Sequence, residues 1–310
     1  MWVVVFHINE PIAYQSNWWT DFCKLGWLGV PAFFIVSGFC MGMLEKRSKP
    51  GIFLMSRLAR IYPPYLASLG IVIAAAAMLR LTQGVNDSVV IPRSGVDWAA
   101  TLLLLLDPIT SVPSINWVYW SLVIEVCFYF YFAFCLNFEK TRTLWFLLPL
   151  LLYPWHDVEA FSIKPLIWIE HYPVFIAGYF LFRSLAGAQN LERFAFGSTL
   201  VACIASRTVA ESVVVAATIL MIIILGQWRS GFGARSAQYF GRISYSLYLI
   251  HVPIACYALL KIRNEFVNGS ILVHFVVDIL LLGTTVLFAA AFYQLIESPS
   301  HRWSRALQRT

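Results

Sequence analysis

The chain is 310 residues long, 60% apolar and only 12% charged, against about 25% charged residues in an average soluble domain. With a mean hydropathy of +0.72, this composition excludes a disordered chain and leaves too few charges to clothe a soluble fold of this size. The net charge of +6 follows from membrane topology, and no nucleic-acid partner is expected.

The expected fold class is all-α, a polytopic membrane helical bundle forming a single domain over residues 1–310. A helix needs about 20 apolar residues to cross the hydrocarbon core. Ten spans are expected, at about 2–15, 26–44, 62–81, 117–138, 143–155, 166–183, 195–207, 209–226, 243–260 and 271–296. The run 98–107 is too short to cross and ends in Asp-Pro, so it reads as a re-entrant or interfacial segment. The first span is also short: its apolar run is interrupted at Asn9-Glu10, and the first helix is expected to be truncated at its N-terminus.

With the N-terminus in the cytoplasm, ten crossings place most of the 22 Lys and Arg inside, among them Lys46, Arg47, Lys49, Arg57, Arg60, Arg142, Arg183, Arg229 and Arg309. Lys24, Arg80, Arg93, Lys164, Arg207, Lys261 and Arg263 fall outside. This positive-inside bias favours both termini in the cytoplasm. The six cysteines form no CxxC and no Cys/His cluster, so they read as small buried hydrophobes, and neither disulfides nor a metal site is expected.

Ionisable residues at membrane depth are costly and mark function by default. The first is His7, whose ring can take a proton from a hydroxyl near neutral pH. The alternative is a packing histidine bonded to a carbonyl. The second is the pair Arg57 and Arg60, on one helix face at i, i+3 and able to fork around phosphate oxygens. The alternative is positive-inside charge on lipid headgroups. Pro63 is expected to hold Tyr62 extended or kinked. The third is Asn116-Trp117-Val118-Tyr119-Trp120-Ser121, followed by Glu125, a carboxylate one turn beyond Ser121 on the same face. Its alternative is a structural hydrogen bond to another helix. Weaker signals are His251, the i, i+4 pair His274 and Asp278, the interfacial His156, His171 and His301, and Gly231-Phe-Gly233, which lacks the context of a nucleotide motif.

Together these segments resemble the acyltransferase 3 family of integral membrane acyltransferases. The resemblance rests on Val3-Val-Val-Phe-His7, Phe33-Phe-Ile-Val-Ser-Gly-Phe39, Arg57-Leu-Ala-Arg60-Ile-Tyr-Pro63, Trp120-Ser-Leu-Val-Ile-Glu125-Val-Cys-Phe-Tyr129, Gly241 through His251, and Ile296-Glu297-Ser-Pro299. They occur in the family order across almost the whole chain. The resemblance implies a bacterial inner-membrane O-acyltransferase. Such an enzyme moves an acyl group, most often acetyl, from acyl-coenzyme A to a hydroxyl of a sugar or glycoconjugate acceptor, with no metal. It implies His7 and Glu125 as catalytic, Arg57 and Arg60 near the coenzyme A phosphates, and Trp120 and Ser121 at the substrate. The family arginine about eleven residues before the histidine has no counterpart here. The rival reading is a transporter or acyl-group carrier without transfer chemistry, for which no inverted repeat speaks.

Overall fold

The computed structural model describes residues 1–10, 17–45, 49–83, 90–153, 164–187, 189–205, 207–227, 232–259, 265–266 and 270–308. Lys46, Arg47, His156, Arg229, Gly231, Lys261, Arg263 and Arg309, named above, lie outside them. Every regular element among the described residues is helical: α1 (Trp2–Asn9), α2 (Trp18–Lys24), α3 (Gly29–Glu45), α4 (Pro50–Gln83), α5 (Gly95–Leu102), α6 (Tyr119–Cys135), α7 (Arg142–Leu152), α8 (Tyr172–Leu185), α9 (Asn190–Ala205), α10 (Val209–Gln227), α11 (Phe232–His251), α12 (Ile271–Phe292) and α13 (Ser298–Leu307). A 3₁₀ turn over Leu25–Leu28 joins α2 to α3, another over Lys164–His171 leads into α8, and wider π turns follow α11 and α12.

Three helical runs among the described residues are long and apolar enough to cross a membrane: Trp18–Glu45, Pro50–Leu81 and Ile271–Leu307. Tyr119–Cys135, Arg142–Leu152 and Val209–Ile224 are shorter apolar helices. The segment before Asp107 holds the eight-residue helix α5. Asp97 caps α5 with Ser94, and the end of the segment is pinned to the middle of α4, where Tyr65 Oη donates to the Thr101 carbonyl at 2.6 Å and Tyr62 Oη to that of Leu103 at 2.9 Å.

Of the two geometries expected at Tyr62, the extended one is corrected. α4 runs as one helix from Pro50 through Pro63 and Pro64, starting well before residue 62. A proline lacks the N–H that would bond the carbonyl four residues back. Pro63 and Pro64 therefore orphan the carbonyls of Ala59 and Arg60. The Ser300 hydroxyl from α13 reaches both, at 2.6 and 3.0 Å, so a donor from another helix replaces what the prolines remove. The same device recurs on α11: Pro253 orphans the Leu249 carbonyl, and Asn116 Nδ2 approaches it at 3.4 Å.

The most extensive helix pair is α3 with α8, and glycine makes it possible. A Cβ on Gly38 would sit 1.9 Å from the Phe175 carbonyl oxygen, and one on Gly178 would sit 2.0 Å from that of Ile35. The two backbones touch because neither residue has a side chain, the usual basis of close helix packing in lipid. One end of this pair is closed by Glu45, which accepts from Arg142, from Arg183 at 2.9 Å and from Tyr179 at 3.1 Å; Arg183 also pairs with Glu192 at 2.5 Å. These contacts tie α3, α7, α8 and α9 together.

Elsewhere, Asp278 joins helices distant in the chain. Its Oδ2 accepts from Asn9 Nδ2 at 2.9 Å and Trp19 Nε1 at 2.8 Å, which joins α1 and α2 to α12. His301 lies 3.1 Å from buried Glu297, whose other oxygen accepts from the Ser246 backbone N–H at 3.0 Å and from the Ser246 hydroxyl. His171 packs its ring against Phe34 and Trp120.

Candidate active site

Four helices enclose a cavity of about 210 Å³. α1 contributes Val3, Val4 and His7. α3 contributes Gly29, Val30 and Phe33. α6 contributes Trp120 and Ser121, and α11 contributes Ser244, Leu247, Tyr248 and His251. On α11 these residues fall at spacings of three and four, which puts them on one helix face. The volume lies below the roughly 300 Å³ lower bound of pockets for drug-sized ligands. It suits a small reacting group.

Two imidazoles stand in this cavity with ring centroids 5.3 Å apart. His7 Nδ1 lies 3.1 Å from Glu10 Oε2. A carboxylate only accepts, so it holds the proton on Nδ1 and leaves Nε2 as the acceptor. His251 Nδ1 turns back on its own helix, 2.8 Å from the Tyr248 carbonyl and 3.2 Å from that of Leu247. The same reasoning protonates Nδ1 there. His251 Nε2, on the opposite edge of the ring, is buried and has no hydrogen-bond partner among the described residues.

The hydroxyls that line the cavity are already hydrogen-bonded. Ser121 Oγ lies 3.2 Å from Tyr248 Oη, which donates to the Val118 carbonyl, and Ser244 Oγ donates to Gly241. Phe33 stacks on Tyr248, with ring centroids 6.4 Å apart and planes at 5°.

Glu125, Arg57 and Arg60 form a second cluster. Glu125 Oε1 accepts from Ser37 at 2.6 Å and Tyr129 at 2.7 Å. Both guanidiniums lie within electrostatic range of Glu125 and Cys40. Arg57 is buried and its Nε has no partner among the described residues, whereas Arg60 is half-buried. The two clusters share walls. Phe33 and Ser37 are one turn apart on α3, and Ser121 and Glu125 one turn apart on α6, a rise of about 6 Å.

The structure thus brings His7, Trp120 and Ser121 into one cavity and sets Arg57, Arg60 and Glu125 together beside it. The carboxylate against His7 is that of Glu10. Sequence reasoning missed Glu10, Tyr248 and Ser37, and gave His251 little weight. The signal for His251 was present in its spacing of three, four and seven residues to Tyr248, Leu247 and Ser244, one helix face.

A family model described as an acyltransferase domain matches residues 1–294 of the chain. No curated protein and no solved structure matches it.

Proposed function

Because the chain belongs to the acyltransferase 3 family and is an acyltransferase of the membrane, we propose that it transfers a short acyl group, acetyl, from acyl-coenzyme A to a hydroxyl of a carbohydrate or glycoconjugate. The observation that carries this reading is the cavity itself. A histidine base, a space the size of a small reacting group and a pair of arginines within electrostatic range of Glu125, one turn beyond Ser121, are the parts that acyl transfer from a phosphorylated carrier requires.

In this reading the acceptor hydroxyl lies against His7 Nε2. It attacks the thioester carbonyl as His7 takes its proton. The carbon–sulfur bond breaks, and the proton passes to the departing coenzyme A thiolate. Glu10 holds the His7 ring in the tautomer a base needs. Ser121 and Trp120 form the wall against which the acyl group and acceptor sit. Arg57 and Arg60 receive the phosphates of coenzyme A. The buried, unpartnered Arg57 Nε is a donor in want of an acceptor, and the more accessible Arg60 makes the first contact. Glu125 balances these guanidiniums when the donor is absent and positions them when it binds.

We further propose ten spans with both termini in the cytoplasm of a bacterial inner membrane. This is supported by the distribution of Lys and Arg, and it puts the arginine cluster toward the cytoplasmic supply of acyl-coenzyme A.

The test is thiol release from acetyl-coenzyme A by detergent-purified protein against a panel of sugar acceptors. Release is expected only with acceptor present, and His7→Ala should lower it by about 10²- to 10⁴-fold, the usual worth of a general base. Arg60→Ala should weaken acetyl-coenzyme A binding. A carrier would bind the donor and release no thiol. An Arg60→Ala protein with unaltered donor affinity would remove the arginine role.

A further inference from the structure

Resting on the acyl-transfer reading, we infer that His251 is a specificity-determining residue: its Nε2 accepts a hydrogen bond from a second hydroxyl of the acceptor, adjacent to the one acylated at His7. The cavity presents two imidazole nitrogens as acceptors, those of His7 and His251, with ring centroids 5.3 Å apart. Both rings are fixed with the proton on Nδ1, one by the Glu10 carboxylate and the other by the carbonyls of Leu247 and Tyr248.

Among the described residues, no side-chain donor is hydrogen-bonded to His251 Nε2. The hydroxyls of Ser121, Tyr248 and Ser244 already have partners, and the Cys256 thiol points to the His7 carbonyl at 3.4 Å. A single hydroxyl carries one hydrogen and can satisfy only one of the two nitrogens. When the attacked hydroxyl donates to His7, His251 is left as a buried acceptor without a donor, an arrangement that proteins avoid. A ligand with two neighbouring hydroxyls satisfies both. The site therefore selects a vicinal diol over a lone alcohol, and rejects an acceptor lacking the second hydroxyl because its binding strands His251 Nε2.

The probes are methyl glucopyranoside and its monodeoxy analogues, each lacking one hydroxyl, with acetyl-coenzyme A as donor. The wild-type protein should turn over the parent sugar with a kcat/KM roughly 10- to 100-fold above that of the deoxy analogue missing the neighbouring hydroxyl, the effect of one stranded acceptor. In His251→Leu that ratio should collapse toward one, and in His251→Gln, which keeps an acceptor oxygen, part of it should return.

An independent readout is the ¹⁵N resonance of the unprotonated ring nitrogen of His251, assigned by its loss in His251→Leu. It should move upfield on adding the parent sugar and stay in place with the deoxy analogue. A resonance that moves with neither sugar, showing a buried water as the only partner, overturns the inference. So does a His251→Leu protein whose rate falls equally for both acceptors, because that is the mark of a structural histidine. Thiol release without either His251 effect leaves the transferase reading standing and removes this one. A sugar-dependent resonance shift without any thiol release shows a diol-binding site at His251 but overturns its assignment to acceptor specificity in acyl transfer.

Discussion

Ser300 shows how much one hydroxyl can hold at the scale of a residue. Its single hydrogen is shared, unequally, between two carbonyls that Pro63 and Pro64 leave without donors, next to Arg60 in the proposed donor-binding cluster. Replacing it with alanine strands both carbonyls in an apolar setting. Ser300→Ala is expected to cost about 1–2 kcal/mol, read as a lower unfolding temperature in detergent, with Ser300→Thr restoring most of it. An unchanged unfolding temperature would mean that water reaches these carbonyls. The Arg-x-x-Arg pattern and His7 were legible in the sequence because ionisable groups are conspicuous in apolar runs. Ser300 was not, since a serine near the end of a chain carries no such signal. Its role depends on where α13 folds back.

Among helices, the decisive contact is α3 on α8. Gly38 and Gly178 each face the other helix's backbone at distances no side chain fits. Gly178→Val would force the helices apart, and overpacking of this kind costs about 1–3 kcal/mol or more. Gly70, in the middle of α4, has open space around it. Gly70→Ala is expected to be neutral or to stabilise by about 0.5–1 kcal/mol. Comparing the unfolding midpoints of the two variants checks the contrast, and similar losses in both would show that helix propensity and not contact decides. The expectation of an extended Tyr62 failed for a related reason. Proline chemistry sets a local preference, but a long helix survives it when neighbouring helices supply the missing donors. The segment before Asp107 holds only the eight-residue helix α5, which fits the expectation of a short segment because length is legible in the sequence.

Across the whole molecule, the Glu45 carboxylate joins α3, α7 and α8, and Glu192 adds α9 through Arg183. The two guanidiniums on Glu45 keep 20% and 23% of their side-chain surface exposed, against 2% for Glu45. Loss of the carboxylate should therefore cost less than the ~3–5 kcal/mol of breaking a fully buried pair. About 2 kcal/mol is expected for Glu45→Gln, measured by thermal unfolding, while Glu45→Asp should retain part of the network. The proposed topology is checked by cysteine labelling in intact cells. A cysteine replacing the exposed Lys24 should react with a membrane-impermeant thiol reagent, and one replacing the exposed Arg302 should react only after permeabilisation. The reverse pattern would invert the orientation. By itself the sequence determined the class of molecule, the order of its apolar segments, its family and the ionisable residues worth watching. These follow from composition, length and spacing, which are properties of the chain read in one dimension. Tertiary structure alone decided that His7 meets Glu10 and His251, that Glu125 belongs with the arginines and that the glycines of α3 and α8 touch. Those pairings join residues as much as 244 positions apart, and only the packing of helices against one another determines which of them meet.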